Sequence, residues 1–258
     1  MNSFKILKRW IIIVVCILIT NVCVSQEYNG TLITTYIDSI VKLEKPTNRI
    51  LALAEQNLLQ YDTIIFVKEL GDAYYKLGKE YYKTEQYSKA IITTQKAINA
   101  KRKTRDTLGL NICLNNLRVF YKNLKGDTSK KRLAVFEEII GNKAHDKYTY
   151  RAYNKAAGFY TDKGDFYKAL QYYQNVIQSY KTYHNNIKQL VEAHMGIIEV
   201  YNNLKINLSQ LHTIDYHNLE IKKYSDNAYD KDLAKNDNNL ANIYEDLNYD
   251  EKAIAYYN

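Results

Sequence analysis

Apolar residues recur at intervals of three and four along residues 31–62, with polar residues between them. This spacing puts the apolar side chains on one face of an α-helix. Pro46 divides the stretch, and because proline disrupts a helix interior, the sequence predicts two helices here. Their apolar positions are Ile33, Tyr36, Ile37, Ile40 and Val41 in the first helix and Ile50, Leu51, Ala54 and Leu58 in the second.

The helical pattern then returns as a repeat of about 40 residues. Its marker is a tyrosine with a small or apolar residue four positions earlier, which places both on one face of a helix. Self-similarity at such a period is typical of architectures in which each unit packs on its neighbours. The marker tyrosines, spaced by 40, 39, 41 and 43 residues, are Tyr81, Tyr121, Tyr160, Tyr201 and Tyr244.

A second helix follows the first in three of these units. An alanine stands nine residues after the tyrosine, at Ala90, Ala169 and Ala253, and an aromatic residue lies at or beside the preceding turn. The small alanine lets the second helix approach the first closely, and the ring fills the wedge where the two meet. Each of these units is therefore expected to be an antiparallel pair of helices.

Two of the units resemble the tetratricopeptide repeat, whose pattern is Trp-x2-Leu-Gly-x2-Tyr, then Ala-x3-Phe, then Pro. The units near residues 111–146 and 191–224 keep the first helix and lose the alanine of the second. The long period resembles kinesin-light-chain-like arrays, and residues 106–110 resemble a segment of secreted bacterial arrays. The residues that match the pattern are Tyr74, Leu77, Gly78, Tyr81, Tyr87, Ala90 and Ala97 in one unit and Tyr153, Ala157, Tyr160, Gly164, Phe166, Ala169 and Tyr173 in the other.

The resemblance implies an all-α fold, an alpha-alpha superhelix in which antiparallel helix pairs stack as a tetratricopeptide-like solenoid. In this interpretation residues 1–25 are a signal peptide and residues 26–66 form a degenerate N-terminal helical pair. Residues 67–258 then form an array of about five repeats, the last one incomplete. We expect paired helices and no sheet. Four side chains should be largely buried between paired helices: Tyr81, Ala90, Tyr160 and Ala169.

The first 25 residues have the three parts of a secretory signal. Lys5, Lys8 and Arg9 precede an apolar stretch at residues 10–19, and a polar stretch ending in small residues follows. This order is typical of signal peptides, and cleavage is expected after Ser25. The sequence therefore predicts an exported protein of the periplasm or cell envelope, with no membrane span in the mature chain.

Cleavage after Ser25 has two alternatives. An uncleaved membrane anchor is one, although a spanning helix needs ~20 apolar residues and Thr20 interrupts this run early. Lipid attachment at Cys23 is the other, and it is disfavoured because the residues before it, Asn21 and Val22, are not the small ones that lipid transfer favours. Once the segment is removed only Cys113 is left, so we expect no internal disulfide and a small core residue at that position.

Composition supports helices and argues against nucleic-acid binding. The chain has one proline and nine glycines, fewer than turn-rich β folds need. Its formal charge of +8 becomes +5 when the three basic residues of the signal are removed. The remaining basic and acidic residues are mixed along the chain, and no basic run with interleaved aromatics lies on one face. We therefore predict no nucleic-acid partner.

No pattern of catalytic or metal-binding residues is recognisable in the sequence. There is no Gly-x-Ser-x-Gly, no phosphate-binding glycine loop and no dinucleotide fingerprint. No two histidines have the helical spacing of a zinc pair, so no metal or other cofactor is predicted and the histidines are expected at the surface. The sequence does not predict an enzyme. The histidines are His145, His184, His194, His212 and His217.

What the resemblance offers instead is a concave face, where ligands of this family lie against the first helix of each repeat. Asparagine amides both donate and accept hydrogen bonds, so they can hold the backbone of an extended peptide. Tyrosine adds contact area at low entropy cost. A solvated helix face explains any one of these residues equally well. The candidate residues for binding a protein or extended peptide are Tyr75, Lys79, Tyr82, Asn115, Asn116, Lys122, Asn154, Asn239 and Asn242.

The sequence thus predicts an extracytoplasmic scaffold for protein or peptide interaction. Residues 240–257 open a repeat that stops early at Asn258. We interpret the chain as the N-terminal sensory or docking part of a longer bacterial protein, with a chain that ends on a partner as the alternative. The missing part would be a histidine kinase, a DNA-binding regulator or a protease-like domain. A different class of function is an envelope carrier that binds glycan or peptide for uptake.

Overall fold

The computed structural model describes residues 26–43, 46–61, 65–183, 186–224 and 230–257. The predicted signal segment 1–25 and His184 lie outside the described residues. Within the described ranges the chain forms twelve α-helices, one short 3-10 helix and no strand. The predicted all-α fold is therefore confirmed.

The helices fall into two compact units, one ending at Arg132 and the other beginning at Leu133. In chain order the first unit contains α1 (Gln26–Val41), α2 (Asn48–Leu58), α3 (Val67–Lys83), α4 (Tyr87–Lys103) and α5 (Thr107–Lys122). Helix α6 (Ser129–Gly141) begins in the first unit and ends in the second. The second unit continues with α7 (Lys147–Asp162), α8 (Phe166–Tyr183), α9 (Ile187–Leu204), the 3-10 helix Leu208–Gln210, α10 (Leu211–Lys223), α11 (Asp230–Asp246) and α12 (Asp250–Tyr257).

Successive helices pack on one another within each unit. In the first unit α3 contacts α1, α2 and α4, and α4 also contacts α5. In the second unit α9 contacts α7, α8, α10 and α11, while α7 packs on α8 and α11 on α12. Because turns as short as residues 84–86 join neighbouring helices that pack together, the paired helices run antiparallel. Each unit is a stack of helix pairs, as the solenoid prediction requires.

Small residues mark the closest helix contacts, as predicted. Ala90 and Ala169 are completely buried. A Cβ atom added to Gly71 would lie 2.9 Å from the Cβ of Ala100, and one added to Gly78 would lie 2.5 Å from Thr94 Oγ1. The glycine of the repeat pattern in α3 is therefore needed for the close approach of α4.

The turns after α3, α7 and α11 share one backbone conformation. Their middle residues, Glu85, Gly164 and Asn248, all have φ between 60° and 76°. In each turn the next amide donates to the carbonyl of the marker tyrosine five residues back, over 2.8–2.9 Å. This left-handed cap with its six-to-one hydrogen bond is the Schellman motif, which satisfies the last carbonyls of the first helix.

The marker tyrosines of these three units make the same polar contacts. The hydroxyls of Tyr81, Tyr160 and Tyr244 lie 3.0, 2.9 and 2.5 Å from a carboxylate of an earlier helix. The carboxylates belong to Glu55, Glu137 and Asp215 in that order. A lysine eight residues after each tyrosine places its Nζ over the ring, at 4.1–5.4 Å from the centroid. One tyrosine thus ties three helices together.

Three of the four residues predicted to be largely buried are completely buried, and the fourth is buried only in part. Tyr81 is buried as expected, but Tyr160 is only half-buried. Its hydroxyl accepts a hydrogen bond from Lys168 Nζ over 2.6 Å and contacts Glu137 Oε1. Both partners are charged, so the phenol stays at the protein surface, where they can remain hydrated. Cys113 is buried as predicted, and burial raises the pKa of its thiol to about 12.

Candidate functional site

The second unit contains a cavity of about 220 Å³ formed by α7, α8, α9 and α11. Three of these helices, α7, α9 and α11, are the first helices of successive pairs. The lining residues are Asn154, Lys155 and Gly158 on α7, Tyr173 on α8, Glu192, Met195, Gly196 and Glu199 on α9, and Asp232, Lys235, Asn236 and Asn239 on α11.

Helical periodicity explains why these residues meet. On α9 the lining positions are separated by three, one and three residues, and on α11 they follow the same steps. Such intervals keep side chains on one face of a helix, and that face of each first helix points toward the cavity. The second helix α8 contributes only Tyr173. A Cβ on Gly196 would lie 2.1 Å from the Tyr173 ring, so glycine is required where α9 crosses the tyrosine.

Two asparagines of the cavity are almost completely buried. Asn154 is 5% exposed and Asn236 is 3% exposed. The Nδ2 of Asn154 donates to the backbone carbonyl of Gln189 over 2.8 Å, which fixes the amide against α9. The Oδ1 of each asparagine is buried and accepts no hydrogen bond within the described part of the chain. Buried polar atoms of this kind are usually satisfied, so these oxygens identify a position for an external donor.

Charged side chains surround the asparagines. Lys235 Nζ lies 2.6 Å from Glu199 Oε1, and Lys155 Nζ lies 3.6 Å from Glu192 Oε2. Asp232 adds a third carboxylate, so the lining carries three acidic and two basic groups. The cavity can therefore offer acceptors and negative charge at once.

Two of the predicted binding residues line this cavity, and a third does not. Asn154 and Asn239 lie in the lining, where Asn239 accepts a hydrogen bond from Asn202 Nδ2 over 3.3 Å. Asn242 is instead turned toward α12, and its Oδ1 accepts a hydrogen bond from the Tyr257 hydroxyl over 2.8 Å. A step of three residues rotates the side chain away from the face that carries Asn239.

The remaining predicted residues lie in the first unit, on helices α3 and α5. Asn116 Nδ2 donates to the Tyr75 hydroxyl over 3.3 Å, and Tyr82 stacks on Phe120 with centroids 4.6 Å apart. Such pairs, about 40 residues apart in sequence, link successive first helices. The other predicted residues are Lys79, whose Nζ lies 5.7 Å from the Tyr75 centroid, Asn115, which accepts from Arg118 Nη2 over 3.5 Å, and Lys122, which is exposed.

Sequence reasoning missed most of the cavity lining. It carried over only positions that match the family's binding face, and so it passed over Glu192, Glu199 and Asn236. The sequence did contain a signal for these positions. The residues of the lining recur at steps of three and four along α9 and along α11, which places them on one face of each helix. Tyr173 was recognised only as a residue of the repeat pattern, since sequence spacing within one helix does not show which neighbouring helix a ring reaches.

The prediction that the histidines lie at the surface is wrong for two of them. His194 on α9 and His217 on α10 are buried, with their Nδ1 atoms 2.7 Å apart. Burial is the main cause that lowers the pKa of both imidazoles to about 4, and nearby Lys181 and Lys223 contribute to the lowering at His194. His145 and His212 are exposed as expected. Sequence spacing could not reveal the pair because the two residues come from different helices.

Among the residues that the structure describes, no group of three or more histidine, cysteine or acidic side chains is arranged to hold a metal ion. None of the described helices is both long and apolar enough to cross a membrane. That the chain is not an enzyme stays a prediction.

Comparison with known proteins identifies the repeats. The tetratricopeptide-repeat family model matches residues 71–104, 150–183 and 238–258. The chain contains tetratricopeptide repeats. The three matched segments correspond to the helix pairs α3–α4, α7–α8 and α11–α12, which are the pairs with the shared turn and the marker tyrosine.

A solved structure also aligns with most of this chain. The crystal structure of BtubC (BKLC) from P. vanneervenii aligns with a TM-score of 0.50 and 17% sequence identity, covering 81% of this chain and 87% of that one. At this identity the likeness shows the fold alone. A search of curated proteins found no match. Repeats of this kind are typical of scaffolds for protein interaction.

Proposed function

We propose that this tetratricopeptide-repeat protein binds an extended peptide segment of a partner protein along the first helices α7, α9 and α11. The observation that carries the proposal is the pair of buried asparagine oxygens, on Asn154 and Asn236, that lack donors in the described chain. Backbone N–H groups of an extended peptide recur at regular spacing and would supply such donors. The cavity between them is wide enough, at about 220 Å³, to admit a side chain of that peptide.

The scaffold is proposed to act outside the cytoplasm, as the N-terminal sensory or docking part of a longer bacterial signalling or protease-like protein. Support for export comes from the order of basic, apolar and small residues in the first 25 positions. Mass spectrometry of the exported protein should find its N-terminus at Gln26 or within a few residues of it. An intact Met1 on exported protein would favour an uncleaved anchor instead.

Peptide binding is tested by selecting a displayed library of random peptides against the full chain. We expect recovered peptides to bind the native protein and to lose most of their affinity for Asn239→Arg, because the larger side chain fills the cavity. Gln174→Arg on the exposed face of α8 is the matched control and should bind as the native protein does. Peptides whose binding is insensitive to Asn239→Arg would place the binding surface elsewhere.

A second candidate function is that of an envelope carrier for glycan or peptide uptake. The outer face of α8 has a wide, open depression of about 640 Å³ in which one tyrosine stands among amide side chains. Aromatic rings and amides together suit sugar rings and their hydroxyls. Gln174→Arg would abolish glycan binding there and leave peptide binding at α9 unchanged. The depression is lined by Gln171, Tyr172, Gln174, Asn175, Ile177, Gln178 and Lys181.

A further inference from the structure

The cavity on α7, α9 and α11 has hydrogen-bond acceptors in excess. Besides the Oδ1 atoms of Asn154 and Asn236, the Oε2 of Glu192 is buried and accepts no hydrogen bond within the described residues. Lys155 is the nearest ion-pair partner of that oxygen, at 3.6 Å, which is beyond hydrogen-bonding distance. Three acceptors on three different surfaces of the cavity therefore lack donors.

The charge of the lining selects the kind of donor. Two of the three carboxylates face lysines, which leaves Asp232 as an acidic group in excess at the α11 side. The negative charge of these groups also affects Tyr173, at the base of the cavity. Burial raises the pKa of the Tyr173 hydroxyl, and the carboxylates of Glu199, Asp162 and Glu192 raise it further. An anionic ligand group is disfavoured in such surroundings, and a cationic one is favoured.

The walls add a geometric requirement. The Tyr173 side chain packs directly beneath the cavity against Gly158 and Gly196, since a Cβ at position 196 would overlap its ring. An apolar ligand side chain here would leave the buried oxygens without donors. A lysine ammonium carries its donors on one atom, whereas a guanidinium spreads five N–H donors over a rigid plane and can reach acceptors on opposite walls.

We propose that this cavity is a subsite for an arginine side chain of the bound partner, with Glu192, Asp232 and the two buried asparagines as its acceptors. The proposal rests on the proposed peptide-binding function and names the chemistry that the peptide must present. A groove with such a subsite would select arginine at one position of the peptide, whereas a groove that contacts only the peptide backbone would accept any side chain there.

The subsite can be probed without any knowledge of the partner. The full chain, labelled with ¹⁵N, is titrated with N-acetylarginine methylamide while the side-chain amide signals of Asn154 and Asn236 are followed by NMR. N-acetylcitrulline methylamide has the same shape without the charge, and N-acetyl-lysine methylamide has the charge without the planar fork. We expect saturable shifts with the arginine probe, weaker shifts with the lysine probe and none with the citrulline probe.

Two nearly isosteric variants test the assigned acceptors. Glu192→Gln and Asp232→Asn should each weaken binding of the arginine probe by about fivefold, the effect of losing one charge-assisted contact. Glu251→Gln on the exposed surface of α12 removes the same charge outside the cavity and should leave the affinity unchanged. Equal weakening by all three variants would indicate a general charge effect and would overturn the proposal.

The outcomes separate this subsite from peptide binding itself. Suppose that selected peptides lose affinity for Asn239→Arg but are not enriched in arginine, and that the arginine probe gives no response. This result would overturn the subsite and leave the peptide-binding function standing. A response to the arginine probe in the absence of any selected peptide would support the subsite and contradict the proposed function. Identical responses to the arginine and citrulline probes would show a cavity without charge selectivity and would also overturn the arginine subsite.

Discussion

His194 and His217 lie in the core of the second unit, between α9 and α10, with Nδ1 atoms 2.7 Å apart. Their pKa values are lowered from 6.5 to about 4 in the folded protein, so the unfolded chain binds more protons between these values. Folding stability should therefore be complete above pH 6.5 and fall as the pH drops toward 4. By pH 4 the loss should be on the order of 3 kcal/mol for each histidine, measured by urea unfolding at a series of pH values.

Variants of the histidine pair separate this effect from general acid sensitivity. His217→Asn keeps a polar group near His194 Nδ1 and removes one titrating ring, so the pH dependence between 5 and 6.5 should become clearly shallower. The charged groups that face the pair are Lys181, Lys223 and Glu220. The exposed His212→Asn is the control. An unchanged slope in His217→Asn would show that the buried pair does not titrate as described.

The marker tyrosines should differ in how much their hydroxyl contributes to the free energy of unfolding. Tyr81 is fully buried, with its hydroxyl 3.0 Å from Glu55 Oε2 and 3.1 Å from the Leu51 carbonyl. Tyr81→Phe should lower the free energy of unfolding by about 1–2 kcal/mol, because the Leu51 carbonyl and Glu55 lose their donor. Tyr160→Phe, at the half-buried equivalent position, should cost less. Chemical denaturation of both variants checks this order, and an equal cost would contradict it.

At the level of helices and turns, the Schellman turn after α7 makes a prediction about one glycine. Gly164 has a φ of +76°, and no atom would clash with a Cβ placed there. Gly164→Ala should therefore destabilise the protein by about 1 kcal/mol through backbone strain alone. Gly141→Ala also meets open space but lies in helix α6 without a positive φ, and it should be neutral or slightly stabilising.

Thermal unfolding of the two glycine variants decides between strain and packing. A melting temperature lowered in Gly164→Ala and not in Gly141→Ala supports backbone strain. Similar behaviour of both variants would mean that the turn relaxes at no cost. The Glu85 and Asn248 turns, which hold non-glycine residues at equivalent positions, already carry this strain.

The sequence predicted the helices better than it predicted their side-chain partners. Period and marker tyrosines located the paired helices because both depend on spacing within one helix. The lower burial of Tyr160 relative to Tyr81 was not predicted, because its hydroxyl partners, Glu137 and Lys168, decide how far the ring enters the core. The left-handed backbone of Glu85 could not be predicted either, because glutamate is not a residue type that favours a positive φ.

For the whole molecule, the same limit applies to the candidate site. Asn154 and Asn239 were predicted from the resemblance to the family, and both line the cavity. Glu192, Asn236 and Tyr173 were not, because the cavity forms where faces of α7, α8, α9 and α11 converge. Which helix faces converge depends on how successive helix pairs stack, and this stacking cannot be predicted from the sequence of a single pair. The polar stripes at three- and four-residue steps were the available signal.

The stacking of repeats also determines how a local defect spreads. In a solenoid each repeat contacts only its neighbours, so stability is roughly a sum of local terms. Ile198→Ala removes a completely buried side chain of α9, and Leu77→Ala does the same for α3. Each should cost about 2–5 kcal/mol. By hydrogen exchange, Ile198→Ala should lower protection in α9–α11 and spare α3–α4, and Leu77→Ala should do the reverse. If either variant lowered protection equally in both regions, unfolding would be a single cooperative event, and the description of this chain as a stack of locally stabilised repeats would be wrong.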